Sequence, residues 1–265
     1  MEGVTENVVL ALMAHPDDAE FLCGGTLALL AQQGWSIHVA TATAGDCGSS
    51  TLGPDEIAAI RRQEAASAAR VLGGQYHCLE RRDLQVRYDA ETLVAACGLL
   101  RTVRPRLVIT HSPSDYMLDH EQISHVARAA AFNAPIPNAP APSGSPPLEA
   151  IPHLYYADPI EGKDYLGDPV LPGLLIDIST TLDTKLAMLA CHASQREWLR
   201  SHHGVDDYLD SARRWGRERG ALAGFAYAEG FRQHRGHAYP QDDLLTLTLP
   251  GRAIPSRTKS RKRAK

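Results

Sequence analysis

Apolar and polar positions along the 265-residue chain alternate between two rhythms, short continuous apolar runs and longer stretches with helical spacing. Residues 7–14, NVVLALMA, are apolar and β-prone and stop at His15-Pro16. The proline disfavours helical geometry at the residue before it, so a buried strand ending at His15 is expected. From Pro16 a helical pattern runs to about Gln33, with Asp17, Asp18 and Glu20 where the helix dipole favours negative charge and Gly34 as the stop. A second strand is expected over 36–45, an amphipathic helix over 54–72 ending at Gly73-Gly74, and a third strand over 75–80. A helix over roughly 90–104, a strand over 106–111 and a helix from about Asp119 to Asn133 follow. Strands alternating with helices of ten or more residues imply right-handed crossovers and a mostly parallel sheet with helices on both faces, a doubly wound α/β fold.

Residues 135–147, PIPNAPAPSGSPP, hold six prolines, too many for a regular element, and read as an extended loop that could act as a lid or a domain edge. Strands are expected over 153–157 and 173–179 and helices over 181–200 and 206–231, the latter with Tyr208, Leu209, Ala212 and Trp215 on one face. His202-His203-Gly204 reads as a helix terminus, and DLLTLTLP (243–250) alternates at period two like an edge strand. The expectation is a single domain over 1–250, with the Pro-rich loop 135–150 inside it, and a basic, disordered tail over 251–265.

Composition narrows the function classes. With 44% apolar and 22% charged residues, the chain is not built for disorder. The net charge of −4 conceals an asymmetry, because the last ten residues, SRTKSRKRAK, carry six of the 27 basic residues and no acid. The preceding 255 residues therefore carry 21 basic against 31 acidic side chains, which argues against a nucleic-acid-binding face. Five scattered cysteines without a CxxC pair point to a reducing cytoplasm. The N-terminal apolar run lacks a basic lead-in and is far short of the ~20 residues of a bilayer span, so no signal peptide and no membrane partner are expected. What remains conspicuous is twelve histidines.

In a parallel α/β sheet ligands lie beyond the carboxyl ends of the strands. AHPDDAE sits at such an end and offers His15 and Asp18, a mixed N/O pair suited to Zn²⁺ or a similar divalent ion. In the common doubly wound orders the first strand's neighbour is the fourth, whose end, HSPSDYMLDHEQ, brings His111, Asp115, Asp119 and His120 to the same edge. Two segments far apart in sequence could then close a His/Asp/His set and leave a position for water. Asp17, adjoining Asp18 but turned about 100° from it on a helix, is the candidate general base. The competing explanation of HPDD is a plain helix start, with Pro and acids in the first turn. Gly24-Gly25 inside a helix predicts close packing there, since each costs roughly 1 kcal/mol relative to Ala.

These segments resemble the PIG-L or LmbE-like family of metal-dependent de-N-acetylases. The resemblance rests on AHPDDAEFLCGGT (14–26), on Arg61 and Glu64 of an RxxE followed by AARVLG, on LDH (118–120) and on ACHASQ (190–195). It implies a Rossmann-like α/β fold and zinc held by His15, Asp18 and His120, with Fe²⁺ or Mn²⁺ as alternatives. It further implies Asp17 as base, Arg61 and Asp83 in the substrate pocket, an N-acetylglucosamine-type amino-sugar substrate, and homo-oligomers, trimers or hexamers. Tyr116 and Asp119 are expected on the substrate side as well. The chain departs from the family's HPDH at Met117, which cannot protonate a leaving amine. His192 is the first candidate to replace that acid, with Tyr116 and His125 behind it. Alternative readings are a catalytically weak metal- and sugar-binding protein of this fold, or an amidase acting on a larger conjugate.

Overall fold

The computed structural model describes residues 7–196 and 208–256. The expectation for His202-His203-Gly204 and the tail from residue 257 on lie outside them, whereas residues 253–255 of the expected disordered tail form a strand of the sheet. In chain order the elements are β1 (Val8–Met13), α1 (Asp18–Gln32), β2 (Ser36–Thr43), α2 (Pro54–Val71), β3 (Gln75–Arg81), α3 (Ala90–Val103), β4 (Leu107–Thr110) and α4 (Leu118–Asn133). They continue with β5 (His153–Ala157), a 3₁₀ turn (Ile160–Gly162), β6 (Leu174–Asp177), α5 (Leu182–Ala190), α6 (Tyr208–Ala221), β7 (Ala228–Gln233), α7 (Leu244–Thr248) and β8 (Ala253–Pro255).

One eight-stranded sheet runs β3-β2-β1-β4-β5-β7-β6-β8. The pairs β3-β2, β2-β1, β1-β4 and β4-β5 are parallel. The pairs β5-β7, β7-β6 and β6-β8 are antiparallel. This is the doubly wound α/β architecture the alternation implies. Every residue of β1 is buried, so the strand reads as a continuous apolar run while its side chains alternate between two cores. Val9, Ala11 and Met13 join the core under α1 and α5, whereas Val8, Leu10 and Leu12 join the core under α3 and α4.

Three sequence expectations are corrected. The helix expected over 206–231 ends at Ala221, where Phe225 N–H bonds back to the Gly220 carbonyl and Gly224 adopts φ +78, after which the chain becomes strand β7. The alternating run 243–250 is one helical turn, because the Asp243 side chain caps it by accepting from Thr246 N–H. Its leucines divide accordingly, Leu244, Leu245 and Leu249 buried and Leu247 exposed. The helix expected over 181–200 breaks at Cys191-His192, whose N–H groups close on the Met188 and Leu189 carbonyls before helix resumes at residue 193.

The Pro-rich loop packs away from the strand ends that carry the motifs. The buried Arg101 guanidinium on α3 donates to the carbonyls of Ala134, Ile136 and Ser145, and a Cβ on Gly98 would meet Pro142 at 2.7 Å. Gly25 is small because Ile178 lies against it, 2.7 Å from where a Cβ would stand. Beside it, Glu229 of β7 is buried and accepts from Gly25 N–H (2.9 Å), Thr26 N–H (2.8 Å), Thr26 Oγ1 (2.6 Å) and Lys185 Nζ (2.6 Å). That carboxylate ties α1, α5 and β7 together. Glu229→Ala would strip the buried Lys185 ammonium of its carboxylate and remove the acceptor shared by three α1 donors, and should lower unfolding stability in urea by about 3–5 kcal/mol. A loss below about 1 kcal/mol would show that the pairing is not what holds these elements.

Candidate metal centre and its cavity

The β1–α1 corner has a shape the sequence pattern does not announce. Helix α1 starts at Asp18, two residues later than Pro16 suggests, because Asp17 occupies the left-handed region at φ 100, ψ −23. A non-glycine residue held there costs about 1–3 kcal/mol. The Asp17 carbonyl accepts the helical bond from Phe21 N–H, but its carboxylate makes no capping bond and is turned elsewhere. Its direction therefore follows from the left-handed backbone and not from a helical 100° step.

Asp18 is the hub of the corner. Its Oδ2 accepts from His15 N–H at 2.7 Å and lies 3.3 Å from His15 Nδ1 and 3.1 Å from His111 Nε2. Its Oδ1 lies 3.5 Å from His120 Nε2. Adjacent parallel strands bring these groups together: His15 follows β1, and His111 and His120 follow β4. Burial alone would raise the Asp18 carboxyl, but the imidazoles of His120 and His111 outweigh it and hold the group well below its ordinary value.

Among the described residues, three sets of side chains could each hold a metal ion: His15/Asp18/His120, His111/Asp115/His120 and His15/Asp83/Asp119. In the first, one donor atom from each lies within 4.8 Å of the others. Hydrogen bonding separates the sets. His120 Nδ1 is 2.9 Å from Asp115 Oδ1, and His15 Nε2 is 2.9 Å from Asp83 Oδ1, so a carboxylate orients each ring and leaves His120 Nε2 and His15 Nδ1 turned toward Asp18. His111 Nε2 is already engaged by Ala14 N–H at 3.1 Å, and His111 and Asp115 do not reach the cavity. Asp119 takes backbone N–H groups on both oxygens, Oδ2 from Leu84 and Oδ1 from Val86, and its Oδ2 also lies 3.3 Å from His15 Nε2, so it adds to the carboxylates on the far side of that ring. The donor set of His15, Asp18 and His120 fits a divalent cation, and all three members border the cavity.

That cavity has a volume of about 740 Å³. Asp17, Arg61, Asp83, Tyr116 and Met117 line it together with the His/Asp/His set. Asp17 Oδ2 accepts a 2.7 Å hydrogen bond from the Tyr208 hydroxyl, and Oδ1 lies 3.8 Å from Arg61 Nη2. Burial raises the Asp17 carboxyl above its ordinary value, with the Arg61 charge opposing the rise. Arg61 is itself held by the carbonyls of Pro16 (2.8 Å) and Gly45 (3.2 Å). Gly45 is obligatory, because its φ is +71 and a Cβ would stand 2.2 Å from the guanidinium. The Tyr116 ring stands edge-on to His120 with centroids 5.3 Å apart.

Two expected site residues stand off the cavity wall. His192 is fully buried, does not line the cavity and faces Glu20 Oε2 at 3.6 Å. Asp119 does not line the cavity; it braces the 84–86 backbone and backs the His15 ring. His125 also stands off the cavity wall, as does every residue of the Pro-rich loop. Ser194 is accounted for structurally, its N–H and hydroxyl both donating to the Glu64 carboxylate of the RxxE motif.

Sequence reasoning missed the wall that α6 contributes. Tyr208, Ser211, Arg214 and Trp215 line the cavity, with Gln195 from the segment after α5. The signal was a tyrosine on an apolar helical face, since a buried phenol hydroxyl needs a partner.

Comparison with known proteins finds a family profile and enzyme relatives. The family profile for GlcNAc-PI de-N-acetylase (PIG-L) matches residues 10–131. A 4-oxalmesaconate hydratase from Pseudomonas putida is 30% identical over 197 residues, covering 70% of this chain and 73% of that one. A 1D-myo-inositol 2-acetamido-2-deoxy-alpha-D-glucopyranoside deacetylase from Rhodococcus jostii is 28% identical, covering 72% and 82%. The solved structure of N,N'-diacetylchitobiose deacetylase from Pyrococcus horikoshii superposes with a TM-score of 0.73 at 26% identity, covering 91% of this chain and 89% of that one. All three relatives are enzymes. No helix among the described residues is long and apolar enough to cross a membrane.

If His15, Asp18 and His120 are the ligands, His120→Ala should lower bound zinc by at least about tenfold in elemental analysis of purified protein. Asp119→Asn should retain close to one equivalent at saturating metal. The reverse pattern would select the His15/Asp83/Asp119 set.

Proposed function

The chain belongs to the PIG-L family, and on that premise we propose that it is a divalent-metal-dependent hydrolase removing the acetyl group from an N-acetylglucosamine-type sugar or glycoside. The observation that carries this reading is the juxtaposition, on one cavity floor, of the His15/Asp18/His120 donor set with a carboxylate, Asp17, that is spent neither on capping nor on the donor set. A divalent cation held there supplies a Lewis acid that polarises an acyl oxygen and lowers the pKa of coordinated water. Zinc is the proposed ion, with Fe²⁺ and Mn²⁺ compatible with the same donors.

The chain's own groups perform the proton work. Asp17 Oδ1 accepts no hydrogen bond among the described residues and is the proton acceptor; its raised carboxyl pKa makes it a stronger base than a solvated aspartate. Arg61, fixed by two carbonyls, places a permanent positive charge beside that oxygen and beside any developing negative charge. Met117 offers no proton, and His192 is sealed from the cavity. The proton taken up by Asp17 is thus the one within reach of the departing amine, so a single carboxyl serves as base and then as acid. A cavity of about 740 Å³ accepts a glycoside of one or two rings, with Tyr116 and Asp83 on its walls.

A second reading, hydration of a carbon–carbon double bond, is favoured by the 30% identity to the Pseudomonas putida hydratase. Both reactions deliver activated water to a trigonal carbon, and hydration needs no acid for an amine, consistent with Met117.

The deciding assay supplies metal-replete protein with a panel of N-acetylglucosamine conjugates and, separately, with 4-oxalmesaconate. Acetate and a stoichiometric free amine are expected from at least one conjugate. Asp17→Asn, which preserves shape and tolerates the left-handed backbone, should bind metal as before and lower kcat by about 10²- to 10⁴-fold. Absence of acetate from every conjugate, with turnover of 4-oxalmesaconate, would replace the deacetylase reading by the hydratase one. Acetate release from the unaltered chain rules out a binding-only role.

A further inference from the structure

We propose that Tyr208 is a positioning residue that holds the Asp17 carboxylate in its proton-accepting orientation, a role that rests on Asp17 acting as the base in the reading above. The two residues are 191 positions apart, and Tyr208 opens α6 beyond the residues that carry the metal donors. Its hydroxyl donates to Asp17 Oδ2 at 2.7 Å.

The need for such a partner follows from the corner itself. An aspartate at a helix N-cap ordinarily fixes its carboxylate by accepting a backbone N–H of the first turn, and Asp17 makes no such bond. The last torsion of an aspartate side chain is broad and nearly two-fold, so the carboxylate would otherwise exchange its oxygens freely. Arg61 stands 3.8 Å from Oδ1, a charge contact too long to fix the plane of the group. The phenol is the one hydrogen bond among the described residues that distinguishes the two oxygens, committing Oδ2 and leaving Oδ1 to accept a proton. Tyr208 is buried, and its position beside Asp17 is set by packing of its ring on Phe21, centroids 6.0 Å apart.

This arrangement joins the orientation of the base to the substrate-facing wall. One rigid helix carries Tyr208, Ser211 and Trp215 to the same cavity, so the element that touches the substrate also aims the proton acceptor.

Tyr208→Phe keeps the ring and its packing on Phe21 and removes the hydroxyl alone. In the metal-replete enzyme it should lower kcat by about 10²-fold with KM changed less than about twofold, the signature of a misaligned base. Bound metal should be unchanged by elemental analysis. In the Asp17→Asn background the same substitution should have no further effect, because the group it serves is already gone. A crystal structure of Tyr208→Phe should show the Asp17 carboxylate rotated or in two orientations, with α6 in place. A kcat within twofold of the parent, or losses from Tyr208→Phe and Asp17→Asn that multiply, would overturn the proposal. If the unaltered enzyme turns over none of the substrates, the proposed reaction fails and the crystallographic comparison decides alone: an Asp17 carboxylate unmoved in Tyr208→Phe overturns the positioning role.

Discussion

The carboxyl edge of the sheet is organised around one buried carboxylate, Asp18. Its oxygens touch the His15 backbone and face three imidazoles drawn from the ends of two neighbouring strands. Buried charge is costly unless compensated, so the surrounding structure has to supply compensation from several directions at once. It does so by pairing the far side of His15 and of His120 with the carboxylates of Asp83 and Asp115. The parallel β1–β4 pairing makes this arrangement reachable, because it puts both strand ends at one height. Displacing either strand by one residue would turn the inner side chains to the opposite face and dissolve the cluster.

Around that hub, the β1–α1 corner separates two adjacent aspartates into two tasks. Asp18 sits in the first helical turn and faces the imidazoles, while Asp17, held in the left-handed region, faces the cavity. Their carboxyls are accordingly moved in opposite directions from their ordinary values, Asp17 up by burial and Asp18 down by the imidazoles that overcome its burial. Neighbouring groups with divergent proton affinities are what a site needs if one is to stay charged and another is to exchange protons.

The parallel half was legible because each of its elements carries its own period and its own stop signal, from the apolar run of β1 to the Gly73-Gly74 pair after α2. The convergence of His15, Asp18 and His120 was legible for the same reason, since strand order in such sheets places β4 beside β1. The antiparallel half was legible only in part: β6 falls inside the expected strand 173–179, but β7 was read as the end of a helix. Residues 243–250 alternate like a strand, yet one aspartate cap and three buried leucines make a helical turn of them. The pairings of Glu229 and Tyr208 were not legible because their partners, Lys185, Thr26 and Asp17, are supplied by tertiary packing at long sequence distances. His192 looked like a spare acid in a motif, but only the packed structure shows that it lies behind the wall of the cavity.

The order of strands in the second half bears on how the molecule can be made. Strand β7 lies between β5 and β6, although β6 leaves the ribosome first. Until residue 233 has emerged, β6 has no neighbour to join it to the sheet, and Glu229 is not yet present to neutralise Lys185. The nascent chain can settle β1 to β5 as a partial sheet and pack α5 on α1 and α2, but β6 must wait for its neighbour. The sheet is therefore completed late, when β7 inserts between β5 and β6.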